Sequence, residues 1–236
     1  MKMRLDKILI HVGYGSRKEV QKMIKGKKVT VDGQIISKPE SNINPNESEI
    51  CIHGKPVDYQ EFYYYILNKP GGYISATEDP NEPTVMDLLS IEDRNKELFP
   101  VGRLDKDTEG LLLLTNDGKM AHDLLSPKKH VDKTYYAKVK GQMIEEDIHI
   151  FAQGITLENG TTYQPGQLEI ISSGEFSEVY VTIKEGKFHQ VKKMVQFVGK
   201  EVVYLKRIQM GQLKLPNDLA LGEYRKLTQE EIDCLR

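Results

Sequence analysis

The 236-residue chain is 39% hydrophobic and 29% charged, enough apolar surface to fill a core without disulfide or metal staples and too much for wholesale disorder. It has no run of about 20 apolar residues for a membrane helix. The opening MKMRLDKILIHVGYG lacks the long apolar stretch and small-residue cleavage site of a secretory signal. Lys plus Arg is 33 and Asp plus Glu is 35, a net charge of −2, which excludes a uniformly basic coat.

The charges are nonetheless sorted. Residues 1–38 hold ten basic and three acidic side chains, and residues 184–207 hold seven and two. Two basic patches on an acidic body can steer a polyanion to one face. The two cysteines, Cys51 and Cys234, make no disulfide framework, so a cytoplasmic chain with reduced thiols is the expectation.

Leu5, Ile8, Leu9 and Val12 follow a helical period that Gly13 and Gly15 end. Ser16 with Glu19 three residues on predicts a capping box, and Val20, Met23 and Ile24 give the second helix its buried stripe before Gly26. Val29–Val31 reads as a strand, with a tight turn at Asp32-Gly33 before Ile35-Ile36. Residues 40–60 are polar and turn-rich, with Ile50, Ile52 and Val57 suggesting a short strand or hairpin. This stretch, RLDKILIHVGYGSRKEVQKMIKGKKVTVDGQIISKP at residues 4–39, resembles the S4-like RNA-binding domain. The resemblance implies that Arg4, Arg17, Lys18, Lys22 and Lys28 contact structured RNA. Lysine and arginine there would engage phosphates, which gives affinity and register but little sequence reading.

A second module is expected from residue 59 onward, with residues 1–58 forming the S4-like domain and its linker. Phe62–Leu67 reads as a strand and Asn68 to Gly72 as a turn. Thr84 to Leu89 starts like a short helix. Leu111–Thr115 is a buried strand, and Met120–Leu125 a helical fragment ending before Pro127. Tyr135–Val139 reads as a strand and Met143–Gln153 as a helix. Leu168 and Ile170, then Val179, Val181 and Ile183, alternate as strands. Phe188, Val191, Met194, Val195 and Val198 are helically spaced before Gly199, and Val202–Ile208 resumes strand character. The helices are too few for a doubly wound sheet, so the fold class is α+β.

Several chemistries find no signature. GxGxxG is incomplete at His11-Val12-Gly13-Tyr14-Gly15, and GxxxxGK[ST], HExxH and GxSxG are absent. Neither cysteine has metal-ligand spacing, and the CxxC of a zinc deaminase is missing. One segment does stand out. In FPVGRLDKDTEGLLLLTNDG, residues 99–118, Arg103, Asp105, Asp107 and Glu109 alternate beside a fully apolar strand. Extended, they would share a face; in a loop they could converge otherwise. Such a cluster is either a paired surface loop or an active-site loop.

GRLDKDTEGLLLLTNDG at 102–118 is similar to the signature of the RsuA-like family of ribosomal RNA pseudouridine synthases. LNKPGGYISATEDP at 67–80, DKTYYAKV at 132–139, EGKFHQVKKMVQFVGKEVVYLKRIQMG at 185–211 and LALGEYRKLTQEEI at 219–232 also match. With the S4-like stretch, the resemblance covers essentially the whole chain. It implies a catalytic domain, residues 59–236, on a mixed, largely antiparallel sheet with an RNA cleft across it. It implies further that Asp105 is the catalytic aspartate, that Tyr135 packs on the target base and that Lys192 pairs with the aspartate. Many relatives have arginine at this last position, so lysine keeps the charge but loses bidentate geometry. Arg103 is assigned by the same match to RNA or loop positioning.

These residue types suit the chemistry. The target uridine must leave its stack to expose its glycosidic bond. An aspartate can then attack C1′ as a nucleophile, or remove the 2′ proton and release the base through a glycal. Both first steps stay open. The uracil rotates, bonds through C5 and loses the C5 proton, so no cofactor or metal is needed. HQVKKM, FPVGRLD and the chain spacing look closest to the small-subunit member, which implies uridine 516 of 16S ribosomal RNA, free or partly assembled, as target and a monomer as the acting form. A large-subunit (23S) target and a noncatalytic RNA-binding assembly protein are the alternatives.

Overall fold

The computed structural model describes residues 2–126 and 129–235. They form two compact units, residues 1–63 with 89–99 and residues 64–88 with 100–236. Composition suggested one crossing near residue 58; the chain crosses three times, because the segment 89–99 belongs with the N-terminal unit.

In the first unit, helices Leu5–His11 and Arg17–Lys25 pack beside a four-stranded sheet ordered Gln34–Ile35, Val29–Val31, Ile50–Ile52, Lys55–Pro56. The capping box forms: the Ser16 backbone donates to Glu19 Oε2 at 2.8 Å, and Glu19 N–H donates back to Ser16 Oγ. Leu5, Ile8, Leu9, Val20, Ile24 and Val29 are fully buried, each stabilising the unit by about 1.5–3 kcal/mol. The helix Ile91–Arg94, which the hydrophobic pattern did not announce, lies against Gly13. A Cβ on Gly13 would meet the Glu92 carbonyl at 2.5 Å, and Gly13 also has φ +91, so only glycine fits.

The main sheet of the second unit runs in the order Gln167–Ser172, Phe176–Ile183, Lys133–Lys140, Glu201–Met210, Glu109–Thr115, Tyr64–Lys69, Tyr224–Lys226. All neighbours are antiparallel except Glu201–Met210 with Glu109–Thr115, which are parallel. The adjacent strands Tyr64–Lys69 and Glu109–Thr115 are buried on both faces, whereas Lys133–Lys140 and Phe176–Ile183 alternate. A continuous buried run thus marks a strand covered on both faces, and an alternating one a strand covered on one. The parallel pair touches at Gly110, where a Cβ would stand 2.2 Å from the Arg207 carbonyl.

Several boundaries differ from the pattern reading; the strand read from Phe62 begins at Tyr64 and the helix read from Met143 begins at Glu145. Asn68 and Lys69 continue the strand, and the turn starts at Pro70, because both side chains are buried and bonded. Val85–Leu88 is a single 3₁₀ turn. Phe188 precedes the helix Gln190–Phe197 and is 67% exposed. The helical fragment Gly118–Leu125 ends at Ser126; Pro127, expected to stop it, lies outside the described residues.

Candidate active site

The charged segment 103–108 is a loop leading into the strand Glu109–Thr115. Its backbone is gripped from beneath. Strand pairing sets Lys69 opposite Gly110, which carries the fully buried Lys69 ammonium under the loop. It donates to the carbonyls of Thr108 at 2.8 Å, Asp105 and Pro70 at 3.1 Å, and Lys106 at 3.3 Å. Burial draws this ammonium down to about 8, while Asp107, Glu109 and Asp105 pull the other way. Ser75 Oγ adds a second grip, accepting from the Leu104 N–H and donating to the Leu104 carbonyl, both at 3.0 Å. The Gly72 N–H donates to the Lys106 carbonyl at 2.8 Å.

With its backbone held, the loop points the Asp105 carboxylate outward, 27% exposed. Two bases face its two oxygens. Lys192 Nζ is 3.4 Å from Oδ2, and His189 Nε2 is 3.6 Å from Oδ1. Lys192 bonds Asp107 more closely, at 2.6 and 2.8 Å. Burial alone would raise the Asp107 carboxyl; the Lys192 ammonium outweighs it and holds the group below the usual carboxylate range. His189 is in the left-handed region, φ +54, with its ring stacked on Phe188 at 3.7 Å. Tyr135, 7% exposed on its strand, shares one cavity with Arg103, Asp105 and His189. Tyr204 donates to Glu109 Oε2 at 2.6 Å; burial and then this carboxylate push its hydroxyl above the ordinary tyrosine range.

Asp105 and Tyr135, distant in sequence, therefore line one cavity together with the exposed Arg103, and Lys192 meets Asp105 from outside its lining. Pattern reading missed His189, Lys69 and the competing hold of Asp107 on Lys192. Lys69 stood in the LNKPGG match but read as a turn residue. In the other unit, Arg17, Lys18, Lys22 and Lys28 are exposed. Arg4 instead lays its guanidinium on buried Asp6 at 2.9 and 2.8 Å. Among the described residues no group of three or more His, Cys, Asp or Glu side chains could hold a metal ion, and no helix is long and apolar enough to cross a membrane.

A family model described as RNA pseudouridylate synthase matches residues 63–197, more than half of the chain. The chain belongs to this family. The synthase also carries an S4 domain, matched over residues 3–48. It is 52% identical over 234 residues to the uncharacterized RNA pseudouridine synthase YtzG of Bacillus subtilis (strain 168), covering 99% of this chain and 98% of that one. It is 40% identical over 232 residues to ribosomal small subunit pseudouridine synthase A of Escherichia coli (strain K12), covering 98% of each. It is 38% identical over 236 residues to ribosomal large subunit pseudouridine synthase B of B. subtilis, covering 99% and 95%. A crystal structure of a pseudouridylate synthase superposes with a TM-score of 0.70 at 35% identity, over 99% of this chain and 100% of that one. The synthase thus has the build its motifs imply: an S4 domain, then a catalytic domain on a mixed, mostly antiparallel sheet.

Proposed function

We propose that the synthase isomerises a uridine of ribosomal RNA to pseudouridine, at position 516 of 16S RNA, with Asp105 as the reacting carboxylate. The observation that carries this reading is the shared cavity of Asp105 and Tyr135, with cationic or basic groups facing both oxygens of Asp105. Tyr135 packs on the extruded base. Asp105 attacks C1′ or takes the 2′ proton, and either step releases uracil as an anion that Lys192 helps to stabilise. The base turns and C5 bonds to C1′, displacing the Asp105 carboxylate on the nucleophilic route or with the proton returned to C2′ on the glycal route; the C5 proton then leaves and N1 is protonated, so the reaction is atom-neutral. Arg103 at the mouth steadies the RNA or its loop. Arg17, Lys18, Lys22 and Lys28, with Arg4 already held by Asp6, form the S4 contact to phosphates. The enzyme acts as a cytoplasmic monomer on free or partly assembled small subunits.

Pseudouridine mapping across both ribosomal RNAs tests this in a strain lacking the gene, complemented with wild type or Asp105→Asn. Restoration of one small-subunit site by wild type alone is expected. Restoration at a large-subunit site would overturn the target. The 38% identity to the large-subunit enzyme, against 40% to the small-subunit one, keeps that second reading in view. Restoration by both proteins would remove Asp105 from catalysis.

A further inference from the structure

A second cavity of about 550 Å³ adjoins the first and shares Arg103, Tyr135, Gly186 and Lys187 with it. Sheet register builds its floor. Tyr135 pairs with Arg207 while Thr134 pairs with Gln209, leaving Ile208 as an extra residue in the strand Glu201–Met210. Paired residues share a face, and Lys133 lies two residues before Tyr135 on the same strand. Lys133, Tyr135 and Arg207 therefore turn to one side of the sheet. All three line this cavity and are buried, at 5, 7 and 2% exposure.

Two buried cations on one wall call for an explanation. Arg207 Nε donates to the Leu111 carbonyl at 2.8 Å, but Nη2 is buried with no hydrogen-bond partner among the described residues. Lys133 Nζ donates to the Val131 carbonyl at 3.0 Å. Burial draws this ammonium below the usual lysine range, Arg207 adds to the effect, and Asp132 opposes it. Glu185, also on the wall, is committed elsewhere. It pairs with Lys187 at 2.9 Å and accepts from Gln164 N–H at 2.9 Å and Gln190 Nε2 at 3.3 Å. With exposed Lys184, Lys187 and Arg103, the lining among the described residues carries five cations against the one carboxylate of Glu185. Desolvated cations with an open donor are costly unless an anion completes them.

We propose that this cavity is a phosphate subsite, in which Arg207 Nη2 and Lys133 Nζ receive a phosphodiester flanking the target uridine. The inference rests on the isomerase reading of the adjoining cavity. Tyr135 belongs to both cavities, so a base held there brings its own backbone into reach of the cationic wall. A phosphate accepts from a guanidinium and an ammonium together, and such charge-assisted bonds are strong where water is excluded. Anchoring the backbone here sets C1′ of the target sugar against Asp105, a positioning effect. The contact differs from the S4 lysines in being buried, and so is screened less by salt.

Two measurements on the full-length protein test it. The first is calorimetric titration with inorganic phosphate. Saturable binding is expected for wild type, weakened about tenfold or more by Lys133→Met and by Arg207→Met, and unchanged by substitution of the exposed Lys214, Lys214→Ala. If Arg207→Met does not fold, Arg207→Lys replaces it and should lose part of the affinity. Absence of saturable binding, or equal binding by Lys133→Met, overturns the subsite. The second uses a synthetic ribosomal RNA fragment around the mapped uridine, with single neutral methylphosphonate linkages. One linkage flanking the uridine should weaken wild-type binding about tenfold and weaken Lys133→Met much less. Phosphate binding without any such coupling would assign the cavity to free phosphate and overturn the RNA assignment. A wild-type enzyme that makes no pseudouridine in ribosomal RNA would sink the isomerase reading, and the phosphate titration would still decide the subsite.

Discussion

Asp107 holds Lys192 at 2.6 Å, closer than the 3.4 Å between the same ammonium and Asp105. Asp105 Oδ2 is thereby faced by an ammonium without being locked in a short ion pair. In the proposed reaction, where Asp105 reacts at C1′ or takes a proton, the carboxylate needs that freedom.

Asp107→Asn should therefore let Lys192 close on Asp105. We predict a fall in kcat of about tenfold with unchanged RNA affinity, read by single-turnover kinetics and filter binding. Stability should move by less than about 1 kcal/mol, as for an exposed pair. The pH effect has a definite sign. The Asp107 carboxyl is held below its ordinary value, so its contribution is present above that value and fades as pH falls through the lowered one. Acid melts of wild type and Asp107→Asn should converge at the low end.

Asp105→Asn should abolish isomerisation, by roughly 10³-fold or more, while RNA binding persists. Release of tritium from C5-labelled RNA measures the first and a binding isotherm the second. Loss of both would point to a folding defect in the 103–108 loop instead.

Lys69→Met should destabilise the fold by about 2–4 kcal/mol, because it strips the ammonium donor from four carbonyls under the loop. The native group gives up its proton near pH 8, whereas an unfolded lysine keeps it to about 10.4. Between those values the unfolded chain binds more protons, so wild-type stability should rise with pH relative to Lys69→Met. Denaturant melts at pH 7 and pH 10 check the sign.

Replacing Lys18, Lys22 and Lys28 together by alanine should weaken RNA binding and reduce the slope of log K against log salt by roughly 2. An unchanged slope would reject this face as the RNA contact. Arg4→Ala should act differently, through stability, because it uncovers Asp6, a carboxylate 1% exposed that Arg4 holds below its usual range against the pull of burial.

Where local rules govern, the sequence was readable. Ser16 and Glu19 formed their box because capping depends on residues three apart. Leu111–Leu114 is buried because an unbroken apolar run suits a strand covered on both faces. Local rules failed at Lys69. A lysine before Pro-Gly-Gly looks like turn chemistry, yet its place in the strand is decided by carbonyls 36 to 39 residues away. They failed again at the segment 89–99, whose helix packs by contacts with a distant glycine rather than by its own period.

The sequence alone determined the kind of protein this is: the order and spacing of its motifs, read residue by residue, set out a synthase with an S4 domain. Tertiary structure decided which charges meet. Asp105, Lys192 and Tyr135 were named from their motifs, but the greater hold of Asp107 on Lys192, the approach of His189, and the pairing of Tyr135 with Arg207 beside Lys133 depend on strand register and helix placement. A one-residue bulge at Ile208 helps choose which side of the sheet a cation occupies. Electrostatic pairing acts over a few ångströms in space, and chain separation does not encode those distances.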